Sequence, residues 1–305
     1  IPMLRSLHAQ QSIREEGPES HQAKAGTPTM GGAFMMIALV LGVAIFAPWN
    51  VGTGMLLFLT LGHSLLGFFD DFVKAVKKRN LGLTAKQKLL GQFILAAVFC
   101  YCITEIMVVP TTLWIPVADV QLQLGWGYYV LAFLIIVGAT NAVNLTDGLD
   151  GLASGTSAVA AIAFSVIGLM AASMTNSIGA ESVAYFGAIV AAVCLGFLVY
   201  NVNPAKVFMG DTGSLALGGA FAAMAILTKT ELLLVVIGGI FVMEALSVII
   251  QVISFKTRGV RVFKMSPIHH HFELSGWAEQ TVVNRFWFAG AVLAVIGVVL
   301  ATITL

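Results

Sequence analysis

Residues 51–74 read VGTGMLLFLTLGHSLLGFFDDFVK. No Asp, Glu, Lys or Arg interrupts the run from Val51 to Phe69, and then two carboxylates and a lysine arrive together. About 20 apolar residues in a helix cover the ~30 Å hydrocarbon layer of a bilayer. The segment therefore reads as a membrane-spanning helix that ends in Asp70, Asp71 and Lys74 at the water boundary.

Outward from it the same pattern recurs. Nine apolar stretches approach spanning length, at 31–48, 51–69, 88–108, 126–140, 152–172, 183–200, 214–228, 232–255 and 285–305. Composition agrees: 58% of the 305 residues are hydrophobic, 10% are charged, and mean hydropathy is +0.93. A soluble domain carries about 25% charged residues, and no soluble core could hide this much apolar sequence. No polar block of domain size exists, so one integral membrane domain over 1–305 is expected. Its fold class is an all-α polytopic transmembrane helix bundle with nine spans in this chain. Between Val109 and Gly125, Pro110, Pro116 and the alternating run Val117–Leu124 predict a short hairpin on the outer surface. Cys100, Cys102 and Cys194 lie in apolar runs and read as small core residues. The chain opens on Ile1 without a cleavable signal peptide, which predicts a missing N-terminal segment.

The charges orient the bundle. With nine spans, 1–30, 70–87, 141–151, 201–213 and 256–284 share one side. With Lys88 and Arg285 at its edges, that side holds 15 of the 16 Lys and Arg residues, and Lys229 alone lies opposite. Basic residues stay on the cytoplasmic side, so that side is cytoplasmic. Ten of the 15 acidic residues join them there. The net charge of +1 gives no reason to expect a nucleic acid partner.

Four clusters on that side carry chemistry. Asp70 and Asp71 at a membrane boundary are costly unless paired or bound to a cation. Lys74 lies beside both on a helix, so the group suits Mg²⁺ binding or base chemistry, or is a helix-end ion pair. In 141–151, Asn141, Asn144, Asp147 and Asp150 recur every third residue, with Gly148, Leu149 and Gly151 between them. Such a row offers many contacts to a sugar, a nucleobase or hydrated Mg²⁺, and is otherwise a polar turn. In 201–214, Asn201, Asn203, Phe208, Gly210, Asp211, Thr212, Gly213 and Ser214 lead to a helix N-terminus, which favours phosphate. Asp211 suits a bridging Mg²⁺; the plain reading is an N-cap turn with Asp211 or Ser214 as cap. His269, His270 and His271 follow Ser266-Pro267-Ile268. Adjacent helical residues point apart and no cysteine accompanies them, so anion binding or proton transfer fits better than structural zinc. Among the loop lysines and arginines, mostly expected to meet lipid phosphates, Lys86 is taken as a clamp for a diphosphate. Of the residues inside spans, His63 and Glu244 are expected to be neutral, hydrogen-bonded between helices, with Glu244 marking a break in a long span.

Together these segments resemble the polyprenyl-phosphate N-acetylhexosamine-1-phosphate transferase superfamily, matching at Asp70–Lys74, Asn141–Gly151 and Asn201–Ser214. Ser266–Glu273, Gly17–His21 and Gly26–Gly32 resemble its phospho-MurNAc-pentapeptide transferase branch. The family has ten spans, so a first span missing here is expected. The resemblance implies a Mg²⁺-dependent enzyme of the bacterial cytoplasmic (inner) membrane whose site faces the cytoplasm. It would pass phospho-MurNAc-pentapeptide from UDP-MurNAc-pentapeptide to undecaprenyl phosphate, giving lipid I and UMP, among membrane lipid and with a homodimer as an option. It also implies Asp211 as the metal ligand, and Gly148, Leu149 and Asp150 on the uracil with Phe208 stacked upon it. His269, His270 and His271 would bind the donor, and Asp70 would activate the acceptor as a base. Chemistry agrees with the layout, since two anionic phosphates meeting at an interface need a metal and cations. The alternatives are a UDP-GlcNAc-using relative, which the histidine run argues against, and a secondary transporter. A transporter places ionisable residues near the midplane, often with internal repeats, whereas here the polar residues gather at one face and no repeat shows.

Overall fold

A computed structural model describes residues 26–77, 81–175 and 177–304. Gly17–His21, named above, lies outside the described residues, as do Lys78 and Arg79 of the basic loop that follows Lys77. The order is α1 (Gly32–Phe46), α2 (Val51–Lys77), α3 (Ala85–Tyr101) running into a π turn (Cys102–Ile106), and the strands β1 (Thr112–Ile115) and β2 (Val120–Gln123). Then come α4 (Trp126–Thr146), α5 (Leu152–Thr175), α6 (Ile178–Asn201), α7 (Gly210–Leu227), α8 (Glu231–Ile237), α9 (Gly239–Arg258), α10 (Ile268–Glu273) and α11 (Glu279–Thr304).

Eight helices are long and apolar enough to cross a bilayer: α2, α3 with its π turn, α4, α5, α6, α7, α9 and α11. The first expected span forms only the shorter α1, which ends where Ala47 turns extended ahead of Pro48. The eighth, 232–255, breaks at Gly238 into α8 and α9. The break was expected at Glu244, which instead lies within unbroken α9. Two adjacent glycines, Gly238 and Gly239, hold a helix poorly, and a carboxylate with a partner does not need to break one. The expected hairpin is present, β1 antiparallel to β2 with Leu113 opposite Leu122. The outward surfaces of the helices carry exposed apolar side chains such as Leu65, Val130, Leu169 and Val295. That inversion suits lipid as solvent, and the chain is a multi-pass membrane protein.

α7 is the centre of the bundle, with every residue from Thr212 to Leu227 buried. Its run of Gly, Ala and Ser admits neighbouring backbones closely, as helix packing in lipid requires. The tightest approach is to α2. A side chain at Gly67 would place its Cβ 2.1 Å from the Asp211 carbonyl oxygen, so only hydrogen fits. A second apolar cluster of Leu149, Leu152, Ile240, Val282, Val283 and Phe286 supports α10. At one end of the bundle, by the end of α7, Tyr128 donates to Glu231 at 2.6 Å and Lys229 to Glu231 at 2.8 Å. Burial pulls the Lys229 ammonium below the usual lysine range, against the pull of Glu231. His63 Nδ1 donates to the Leu59 carbonyl, 2.8 Å away on its own helix, and among the described residues the expected interhelical bond is not seen.

Candidate active site

The opposite end of α7 gathers the charged residues. The last turns of α2 present Asp70, Asp71 and Lys74 toward the first turn of α7, where Asp211 lies. Lys74 Nζ stands 2.6 Å from Asp70 Oδ2, 3.2 Å from Asp211 Oδ1 and 3.8 Å from Asp71 Oδ1. A second ammonium comes from α3: Lys88 Nζ lies 2.7 Å from Asp211 Oδ2 and 3.2 Å from Asp70 Oδ1. Thr84 begins α3 with a reciprocal capping box to Gln87, which fixes the rotation that aims Lys88 inward. Lys86, two positions earlier, is exposed. Two helical residues separate by about 200°, so the two lysines face opposite ways. The α3 lysine that reaches the carboxylates is thus Lys88; Lys86, taken from sequence as a diphosphate clamp, does not join them.

Each carboxylate has a distinct job. Asp70 is fully buried and accepts the Leu83 N–H at 2.7 Å, drawing the loop before α3 over it. Asp71 accepts the Asp211 and Thr212 amides at 3.2 and 2.9 Å and the Thr212 hydroxyl at 2.7 Å. It caps α7 from another helix, a role expected of Asp211 or Ser214. Two of the amides of that helix start, read from sequence as a phosphate seat, are therefore already taken by Asp71. Asp211 stays outward-facing, held by the Asn144 amide at 3.0 Å, which also donates to Ser214 at 2.9 Å. One oxygen from each of Asp70, Asp71 and Asp211 lies within 4.8 Å of the others. Three carboxylates against two ammoniums leave one negative charge over. Such an all-oxygen donor set suits a hard divalent cation, so the residues fit Mg²⁺.

The 141–150 row divides. α4 runs on to Thr146, six residues beyond the expected span end, so Asn141 and Asn144 are helical. Only the first two members of the row are helical, since the helix ends at Thr146 and Asp147 and Asp150 lie in the turns beyond it. Asn141 donates to Gln92 Oε1 on α3 at 3.3 Å, whereas Asn144 reaches Asp211. Asp147, at the end of α4, accepts from the Gly210 N–H. Burial above all, and then the charges of Asp211 and Asp71, hold its carboxyl well above the usual carboxylate range. Asp150 is buried and turns away, accepting from Asn203 Nδ2 at 3.1 Å and the Ala205 N–H at 2.9 Å. Its own N–H donates to Glu279 at 2.8 Å. The Leu149 side chain packs in the second apolar cluster, so only its backbone can meet a ligand. Asn201 is buried with both ends used: Oδ1 accepts from Ser154 at 2.8 Å and Gly151 at 3.2 Å, and Nδ2 donates to Val207 O at 3.0 Å. Asp150 and Asn201 thus fasten the 201–209 connection. Phe208 is half-buried on it, its backbone paired with Pro28 and Gly31 at 2.8 and 2.9 Å.

The three histidines diverge from α10. His271 Nδ1 accepts the Lys264 N–H at 3.2 Å, and His270 Nδ1 meets Glu273 at 2.8 Å. His269 is fully buried, with Nδ1 3.1 Å from Glu244 Oε1. Its ring fills the space above Gly148, where a Cβ would stand 2.4 Å from Nε2. The histidine helix and the carboxylates therefore meet through the Asp147–Gly148 turn. Lys88, Glu244 and Glu279 were not assigned to the site from sequence. A lysine in an α3 face capped by Thr84 was the available signal for Lys88; Glu244 offered none near the other clusters.

Comparison with known proteins follows the same residues. The glycosyl transferase family 4 profile matches residues 53–229. The phospho-N-acetylmuramoyl-pentapeptide-transferase of Bacillus pumilus (strain SAFR-032) is 56% identical over 302 residues, covering 98% of this chain and 91% of its own. Proteins of the same description from Bacillus subtilis (strain 168) and Bacillus cereus (strain AH187) are 55% and 56% identical over the same shares.

Proposed function

The chain belongs to glycosyl transferase family 4 and, within it, to the phospho-N-acetylmuramoyl-pentapeptide-transferases, and from that membership we propose its reaction. It transfers phospho-MurNAc-pentapeptide from UDP-MurNAc-pentapeptide to undecaprenyl phosphate, releasing UMP and forming lipid I. The observation that carries this reading is the cluster of Asp70, Asp71 and Asp211 with Lys74 and Lys88 at one end of a lipid-facing bundle. A donor dissolved in water and an acceptor held in lipid can meet only at such an end.

Asp211, with Asp71 behind it, would hold Mg²⁺, which would supply charge neutralisation to the donor diphosphate. Lys74 and Lys88, now shared among carboxylates, would turn to the phosphates as the substrates arrive. Asn144 keeps Asp211 aimed outward throughout. Asp70 takes the acceptor's proton, and the acceptor phosphate attacks directly. The turn Asp147–Asp150, with Phe208, forms the nucleotide end of the donor pocket, and His270 and His271 contact the donor beside it. The end carrying Lys74, Lys88 and the α9 basic residues faces the cytoplasm of the bacterial cell, by the excess of Lys and Arg there.

The deciding experiment offers radiolabelled UDP-MurNAc-pentapeptide or UDP-GlcNAc to the purified protein with undecaprenyl phosphate. Label should reach the lipid only from the first donor, with equal UMP, only when Mg²⁺ is present. Transfer from UDP-GlcNAc alone, or transfer undiminished by a chelator, would overturn the reading.

A further inference from the structure

Glu244 and His269 form a buried pair beneath the Asp147–Gly148 turn, and both are completely shielded from solvent. Glu244 lies inside α9, a membrane-crossing helix, where a carboxylate costs several kcal/mol unless it is partnered. Packing alone would be served at lower cost by Gln or Leu. Its ion-pair partner among the described residues is His269, whose Nδ1 stands 3.1 Å from Oε1. On the far side of the ring, Nε2 has no hydrogen-bond partner among the described residues; Nδ1 and the two Glu244 oxygens also lack an aligned hydrogen bond there, so the pair is joined by charge at close range. That atom lies where a side chain on Gly148 would begin, 2.4 Å from the ideal Cβ position. Gly148 in turn follows Asp147, which takes the Gly210 N–H and lies in the field of Asp211 and Asp71. An unbroken line of contacts therefore runs from the helix interior to the carboxylate cluster.

A carboxylate at Nδ1 selects the tautomer with its proton on that nitrogen and leaves Nε2 a bare acceptor. With the ring completely buried, that charge contact holds it in its place. We propose that Glu244 is a positioning residue for the donor nucleotide: it locks the His269 ring, Nδ1 protonated, as the floor beneath Gly148, and so sets the height of the turn that receives the donor. This rests on the reading above that the turn belongs to the donor pocket. Gly148 must lack a side chain because the locked ring occupies its place. The bare Nε2 also keeps an N–H from pressing on the turn, which offers it no acceptor there.

The test uses the full chain in detergent with histidine labelled by ¹⁵N, the His269 signal being identified by its loss in His269→Gln. Wild type should show His269 protonated at Nδ1 and bare at Nε2. Glu244→Gln presents an amide that can donate to Nδ1, so the proton should move to Nε2. In the same variant the KM for UDP-MurNAc-pentapeptide should rise about tenfold, the range seen when a partner behind a working histidine is removed. The KM for undecaprenyl phosphate should stay within about twofold, because Glu244 does not touch the acceptor end. A wild-type proton on Nε2, neutral or cationic, overturns the proposal even if the variant does not fold. So does an unchanged donor KM in a folded Glu244→Gln. Failure of wild type to bind UDP-MurNAc-pentapeptide at all would instead overturn the proposed function, and with it the role given to the turn.

Discussion

Asp71 gives its carboxylate to the backbone of α7, while its neighbour Asp70 gives both oxygens to lysines and the Leu83 amide. The two therefore differ in what their removal does. Asp71→Ala strands two amides and a hydroxyl at a buried helix start, and lost caps and unpaired buried donors together cost about 2–3 kcal/mol. A lower denaturation midpoint in detergent, with Asp71→Asn falling between, is the expected outcome; an unshifted midpoint would show that the capping is dispensable. The lysines separate as cleanly. Lys88→Ala removes an ammonium from between Asp70 and Asp211, and kcat/KM for UMP release should fall about a hundredfold. Lys86→Ala changes an exposed side chain and should stay within about threefold. Equal losses in the two variants would refute the assignment. Sequence supplied both residue types at the right end of the chain, yet Lys86 and Lys88 are indistinguishable until the rotation of α3 is known.

Helices α2 and α7 carry the two halves of the carboxylate cluster, and their separation is set by Gly67. Gly67→Ala would put a methyl 2.1 Å from the Asp211 carbonyl oxygen, so the helices must part. Overpacking of this kind costs about 1–3 kcal/mol. Because Asp70 and Asp71 ride on one helix and Asp211 on the other, turnover should drop further than stability alone explains. Activity assayed at a temperature where the variant remains folded checks this; full activity there would mean the seam tolerates spreading. The elements themselves were legible. Charge-poor runs gave the helices, though the first is short and the eighth is broken, and Pro110, Pro116 and an alternating run gave the β1–β2 hairpin. Their ends were less so. α4 continues six residues past the apolar run because Asn141 and Asn144 find partners on α3 and α7, and a polar helix end with partners need not unwind. The break at Gly238 rather than Glu244 has the same cause, since Glu244 meets His269.

Across the whole molecule, the asymmetry of charge predicts an orientation that can be measured. Single cysteines at the exposed positions Lys256 and Val117 lie in the basic last turn of α9 and at the hairpin. In intact cells, a membrane-impermeant thiol reagent should label Val117→Cys and spare Lys256→Cys until the membrane is opened. The reverse pattern would invert the protein. What the sequence determined by itself was whatever follows from local composition. Apolar runs must be helices in lipid, because nothing there satisfies a bare backbone, and 15 of 16 basic residues on one side settle which connections share a face. Family membership was legible too, since short motifs at fixed places keep their identity without any fold in view. The tertiary structure alone decided how those motifs divide the work. It assigned Asp71 and Asp150 to holding backbone, Lys88 rather than Lys86 to the carboxylates, and Glu244 to the ring of a histidine 25 positions away. Those pairings depend on helix rotation and on approaches of a few ångströms between segments far apart in the chain, and no periodicity within a single segment encodes them.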